Sequence, residues 1–323
     1  MTRTESPGSG SRFSGPLVEV VDDSLALLHQ YTKHAVLLDS SDALPSLLAQ
    51  CQALVQDSRA TPAEPIRLVH HFAGTGGTLF CKWLATAPNT VLLSEVDPLS
   101  RLQIPADKWP FAPTDLLRLL RCNPRSSDID LIETVFLGAL KALYSGLNAH
   151  GQRLILRDHS HSRYCFGPKT EDRSNLLQLV RRQHPVKAIV TVRHPLDSFL
   201  SITNNNFLHF EPKTLEEYSR RYLAFLEDFE KIPIFKYEEF VADSALIFSQ
   251  ICDDLSLPVS PAASDTWQSF LLSGDSGRSG KHIAPRKRRE ILGNIQDQLG
   301  TSPSYTKLCD RLDYDVDPED AQT

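Results

Sequence analysis

Two short stretches of this chain carry residue types that could hold a doubly charged ligand from both ends. The first, Gly74-Thr75-Gly76-Gly77-Thr78-Leu79, follows an apolar run (Leu68, Val69, Phe72) and leads into a helical pattern through Lys82, Trp83 and Leu84. A strand, a glycine turn and a helix present backbone N–H groups and a helix N-terminus to a phosphate-like anion, and glycine lets the backbone come close to it. An ordinary strand-to-helix turn has the same outline. The ATP-type spacing, Gly-x4-Gly-Lys-Ser/Thr, is absent. The second stretch runs from Arg193 to Ser201, eight residues on. An Arg leaving a strand can fork onto a phosphate, and a Ser two turns into the next helix can add a hydroxyl to the same group.

A third group is Asp158, His159 and His161. An imidazole here suits proton abstraction, but a structural ring bonded to backbone fits the same pattern. His161 would share a face with His159 if the strand continued through both. Asp158 orients an imidazole or caps a loop. A His-x-His metal site with His70 or His71 lacks a carboxylate or cysteine at a fitting spacing, so no metal is expected. His70 and His71 point to opposite faces of an extended strand, so at most one meets a ligand there. Further on, Arg286-Lys287-Arg288-Arg289 opens the last helical region. It reads as a solvated helix face or as a rim for an acidic substrate.

Those residues sit at the ends of predicted elements. Apolar runs at Leu68–Val69, Val91–Leu93, Leu154–Leu156, Ala188–Val192 and Ile234–Tyr237 read as five strands. Between them lie helical patterns at Asp115–Arg121, Ile129–Leu147, Leu176–Arg182, Leu196–Ile202 and Thr214–Glu230. Ser127 is the expected N-cap of the long one, Thr214-x-x-Glu217 has capping-box spacing, and Asp243 caps a further helix to Leu255. Alternating strands and helices predict a three-layer α/β/α architecture around a parallel sheet of about five strands. In such sheets ligands bind at the carboxyl ends of the strands, and all three groups fall there. Residues 1–16 are expected to be a flexible tail. Residues 17–65, with helical spacing in Leu44, Leu47, Leu48, Cys51 and Leu54, form an N-terminal helical extension, and 66–323 a single α/β domain.

The chain has 323 residues, 41% of them hydrophobic, and a formal net charge of -6, which argues against a nucleic-acid partner. Six scattered cysteines without a Cys-x-x-Cys pair read as reduced thiols of a cytoplasmic protein. No signal-peptide core or membrane span is recognisable, which predicts a soluble protein.

Taken together, Arg193, Ser201 and the glycine loop resemble the sulfotransferases that use 3′-phosphoadenosine 5′-phosphosulfate (PAPS). Tyr237-Glu238-Glu239-Phe240-Val241-Ala242-Asp243, with Ile251-Cys252 and Leu255-Ser256-Leu257-Pro258, is similar to that family's strand–helix ending. The resemblance implies a P-loop nucleotide-binding fold with PAPS as co-substrate. It also implies that Gly74 to Leu79 cradle the 5′-phosphosulfate and that Arg193 and Ser201 hold the 3′-phosphate. His159 stands where the family has its catalytic base. The Gly- and Ser-rich stretch Ser273–Lys281 is loosely similar to a late loop that covers the nucleotide. Ser276, Arg278 and Lys281 would then clamp the 3′-phosphate end, or else belong to a surface loop.

One departure stands out. The family loop carries Lys or Arg where this chain has Gly74, and that cation contacts the bridging oxygen during transfer. Lys82 is not expected to swing back, leaving Arg157, Arg278, Lys281 and Arg286 as replacements from other loops. The expected activity is sulfuryl transfer from PAPS to a hydroxyl or amine. The alternatives are a nucleotide-binding module that has lost catalysis and, less well supported, an ATP-dependent phosphotransferase. The acceptor could be a small molecule, a carbohydrate, a lipid or a peptide tyrosine, and neither it nor the oligomeric state is legible.

Overall fold

The computed structural model describes residues 63–100, 102, 114–123, 125, 128–168, 170–273, 283–291 and 293–316. The expected tail, nearly all of the N-terminal extension, and Ser276, Arg278 and Lys281 lie outside the described residues.

In chain order, β1 (Ile66–His71) leads to α1 (Gly77–Leu84), β2 (Thr90–Val96), α2 (Leu116–Cys122), α3 (Ile129–Ala149) and β3 (Arg153–Asp158). A one-turn α4 (His161–Tyr164), β4 (Phe166–Gly167), α5 (Leu176–Arg181), β5 (Val186–Val192), α6 (Pro195–Asn204) and β6 (His209–Phe210) follow. The chain continues through α7 (Leu215–Asp228), β7 (Ile234–Lys236), α8 (Tyr237–Ala242) and α9 (Ser244–Leu255). A short α10 (Ala263–Thr266), α11 (Gly293–Leu299) and α12 (Pro303–Leu312) complete it.

The main sheet is parallel throughout, in the order β2-β3-β1-β5-β7, so the predicted α/β class and strand number are present. The two-residue pair β4–β6 is a second small sheet that periodicity did not announce. Strand alternation sorts the core into two layers. Ile66, Leu68, Leu154, Leu156, Val190 and Val192 face α3, α5, α7 and α12. Val69, Ile155 and Ile189 face α1, α8 and α9. Burying each such side chain contributes roughly 1.5–3 kcal/mol, which is why these strands read as nearly continuous apolar runs.

The exception in β1 is Arg67, only 1% exposed. Its guanidinium donates to the carbonyls of Leu255 and Ser256, closing the C-terminal end of α9, and pairs with Glu64. Capping differs from expectation at α3, where Asp128 and not Ser127 accepts the first-turn amides of Asp130 and Leu131; Ser127 itself lies outside the described residues. At α7 the hydroxyl of Thr214 accepts from the Glu217 amide, while the Glu217 carboxylate pairs with Arg220 and Arg221.

Candidate active site

The two anion-binding stretches leave neighbouring strands at the same edge of the sheet. β1 and β5 pair in parallel with His71 opposite Thr191, and the chain then diverges. Leu79, Phe80 and Trp83 of α1 pack in one layer, whereas Leu196, Phe199 and Leu200 of α6 pack in the other. That divergence between adjacent strands is a topological switch point, where open α/β sheets form their ligand crevice. A cavity of about 1130 Å³ opens there, and Gly74 to Leu79, Arg193 and Ser201 all border it.

The glycines of the loop are required by close approach. Gly74 (φ 83°) and Gly76 (φ 82°) are left-handed, a conformation costly for other residues. A first side-chain carbon at Gly74 would lie 2.6 Å from the Ser198 carbonyl oxygen on α6. At Gly76 it would meet the Tyr237 ring at 2.4 Å, and at Gly77 the His71 ring at 2.4 Å. The loop is thus wedged between α6, Tyr237 and His71, and in the first turn of α1 the Leu79 amide donates to the Gly76 carbonyl at 2.9 Å. Thr75 is fully buried and its hydroxyl donates back to the Phe72 carbonyl.

Arg193 lies over the same Tyr237 ring, 4.7 Å from its centroid. Its Nε is buried and without a hydrogen-bond partner among the described residues. Leaving such a donor unpaired costs roughly 1–3 kcal/mol. Arg286, Lys287 and Arg289 also border the cavity, whereas Arg288 turns to Asp197. Lys82, not expected to reach the site, borders it as well, with its Nζ 5.9 Å from the Trp267 ring centroid.

Arg157 is the guanidinium that meets the glycine turn. Its Nη2 donates to the Thr78 hydroxyl at 2.9 Å, its Nε to His71 Nε2 at 3.0 Å, and its Nη1 pairs with Glu95 at 2.8 Å. Burial and the adjacent guanidinium hold the His71 imidazole well below its ordinary range, so it stays neutral and accepts that bond.

The histidine group is arranged differently from the strand-face expectation. β3 ends at Asp158, and His161 opens the one-turn helix α4. The rings of His159 and His161 nonetheless lie 6.3 Å apart and nearly parallel, with His209 5.3 Å beyond His161, all bordering the cavity. Burial pushes His161 down to about 3, and its Nε2 has no partner among the described residues. His159 is 21% exposed, with Nε2 3.6 Å from Glu95 Oε2, an ion-pair distance once the ring is protonated. Asp158 does not orient either ring. Its carboxylate takes His70 Nδ1 at 2.7 Å, and the His70 ring stacks on Phe229. His70 and His71 do face opposite sides, and His71 is the one on the cavity.

Glu95 is the residue that sequence reasoning overlooked. It sits at φ 61° where β2 shifts register between Leu93 and Val96. A left-handed non-glycine residue in a strand is costly, and here it turns a carboxylate toward Arg157 and His159. A lone Glu at a strand end carries no signal of that.

The far wall, with Arg118 and Arg121 of α2, Phe166 and His209, belongs to neither anion-binding stretch. No described helix is long and apolar enough to cross a membrane.

No family model matches this sequence, and no curated protein does. Among solved structures, a sulfotransferase from Alicyclobacillus acidocaldarius is similar at 15% identity and a TM-score of 0.43, over 79% of this chain and 98% of that one. Sulfotransferase STF9 from Mycobacterium avium aligns at 15% identity and a TM-score of 0.43, over 82% of each chain. Mouse sulfotransferase SULT7A1, complexed with PAP, aligns at 14% identity and a TM-score of 0.36, over 78% of this chain and 84% of that one.

Proposed function

We propose that this protein transfers a sulfuryl group from PAPS to a hydroxyl or amine acceptor. The observation that carries the reading is that Gly74–Leu79 and the Arg193/Ser201 pair border one cavity. One nucleotide with a charged group at each end would engage both sets of donors. The loop amides and the N-terminus of α1 hold the phosphosulfate. Arg193 and Ser201 take the 3′-phosphate.

The acceptor enters from the far wall and its oxygen or nitrogen attacks sulfur in line. A new bond to sulfur forms as the bond from sulfur to the 5′-phosphate oxygen breaks, leaving adenosine 3′,5′-bisphosphate. The proton of the acceptor passes to His159, and the Glu95 carboxylate 3.6 Å away stabilises the charge the ring acquires. His161, held down to about 3 by burial, is a poor proton acceptor. Charge on the departing phosphate is met by fixed dipoles and by Arg157, which reaches the loop through Thr78.

A second reading keeps the nucleotide and drops the chemistry. Its support is Gly74, where the packing of Ser198 and Ile202 leaves no room for a cationic side chain. Transfer of radiolabelled sulfate from PAPS to an acceptor library separates the two. Label appearing on an acceptor supports the enzyme, and tight bisphosphate binding without transfer supports the module. Calorimetry with the bisphosphate against ATP tests both, because preference for ATP would refute them together.

A further inference from the structure

Asp197 is a buried carboxylate in a place made for an anion. It lies in the first turn of α6, one turn before Ser201 on the same helix side, while Arg193 precedes the N-cap His194. All three border the cavity, and the Asp197 side chain is 2% exposed. An unpaired negative charge there would repel the phosphate that its neighbours attract. It is answered by Arg288, whose Nε and Nη2 reach the two carboxylate oxygens at 3.0 and 3.1 Å, a two-point fork.

The segment around Arg288, residues 283–291, has no helix or strand. Ile283 packs against one core layer and Ile291 against the other. Between those ends Arg288 is partly buried, whereas Ala284 to Lys287, Arg289 and Glu290 are exposed. Its neighbours Arg286, Lys287 and Arg289 nonetheless border the cavity.

We infer that Asp197 and Arg288 form a latch that fixes this segment over the end of the cavity bordered by Arg193 and Ser201, so that its other three cations reach a bound anion. Asp197 is a positioning residue and acts on the ligand through Arg288. The latch has two consequences. Cutting it by removing Arg288 both releases the cations and bares the carboxylate, whereas removing the charge of Asp197 only releases them. The two substitutions therefore cannot be additive.

The test uses the full chain, with adenosine 3′,5′-bisphosphate as probe, and four proteins: wild type, Asp197→Asn, Arg288→Gln and the double variant. Calorimetry should give at least a tenfold loss for Arg288→Gln, a smaller loss for Asp197→Asn, and a double variant close to Asp197→Asn. Losses that multiply in the double variant would overturn the latch. A second measurement needs no ligand: trypsin cleaves after Arg286, Lys287 and Arg289. Asp197→Asn should speed cleavage there at least fivefold while cleavage elsewhere and the melting temperature hold. Cleavage at the wild-type rate would overturn the latch. If wild type binds no bisphosphate, the proposed reaction falls, and the cleavage result decides the latch by itself.

Discussion

Arg193→Ala separates the stability of the fold from the binding of a ligand. In the structure its Nε is buried without a partner, so the unliganded protein carries the cost of an unmade bond, roughly 1–3 kcal/mol. Against this stands the contact with the Tyr237 ring, worth about 0.5–2 kcal/mol. The two nearly offset, so truncation should leave unliganded stability within about 1 kcal/mol of wild type. Binding behaves otherwise. A charged fork to a phosphate contributes on the order of 1.5–3 kcal/mol per bond, and loss of about 2.7 kcal/mol weakens affinity about a hundredfold. With bisphosphate at about a hundred times the wild-type dissociation constant, wild type gains about 2.7 kcal/mol and the variant only about 0.4. For a domain of this size that is a rise in melting temperature of about 5–10 °C against about 1–2 °C. Thermal unfolding with and without the nucleotide reads both quantities. Equal ligand-induced shifts in the two proteins would refute the phosphate role of Arg193, and a large fall in unliganded stability would show its place to be structural.

Three further expectations follow from neighbouring residues. Gly74→Lys, which places a cation in the glycine turn, should cost about 2–4 kcal/mol, from the left-handed backbone and the contact with Ser198, without raising turnover. Its urea midpoint measures this, and wild-type stability with faster transfer would contradict the packing. His159→Ala should lower turnover by about 10² to 10⁴ and leave bisphosphate affinity unchanged. If His161→Asn is the inactive variant instead, the base has been assigned to the wrong ring. Burial depresses His161 to about 3 and His194 to about 4, below the roughly 6.5 of an unfolded imidazole. The unfolded chain then binds more protons, so their contribution to stability is complete above about pH 6.5 and is lost as pH falls. At pH 5.5 each withdraws about 1.4 kcal/mol, and His161→Asn should flatten that part of the pH profile. An unchanged slope would mean that the ring is not buried in solution.

The fold was readable because parallel strands buried on both faces advertise themselves. Leu68–Val69 and Ala188 to Val192 are short runs, the second interrupted only by Thr191, and Gly74 and Pro195 follow them. The short pair β4–β6 was not, since two residues have no period. The carboxyl-end rule located the loop, Arg193 and the histidines on one edge, because it depends on chain direction alone. Side-chain destinations were a different matter. Asp158 stands next to His159 in sequence and turns to His70 across the sheet. Glu95 reaches His159 only through a register shift that nothing in Leu-Ser-Glu-Val foretells. The basic run at 286–289 was visible as charge, but that its third member should leave the others to pair with Asp197 is a tertiary fact.

The absent loop cation is the feature on which chemistry and packing meet. A lysine in the glycine turn would extend from a left-handed position straight into the Ser198 carbonyl, so this loop can sit against α6 only without it. The same close packing brings Thr78 within 2.9 Å of Arg157, a guanidinium rooted in β3 and braced by Glu95 and His71. A rigid guanidinium held also by Ser94 and Ser273 loses little freedom on meeting an anion, whereas a loop lysine must be ordered each time it does so. Under the proposed reaction the charge has moved from the turn to the neighbouring strand. Arg157→Lys should therefore be a poor substitute, since an ammonium cannot keep the bonds to His71, Glu95 and Thr78 together.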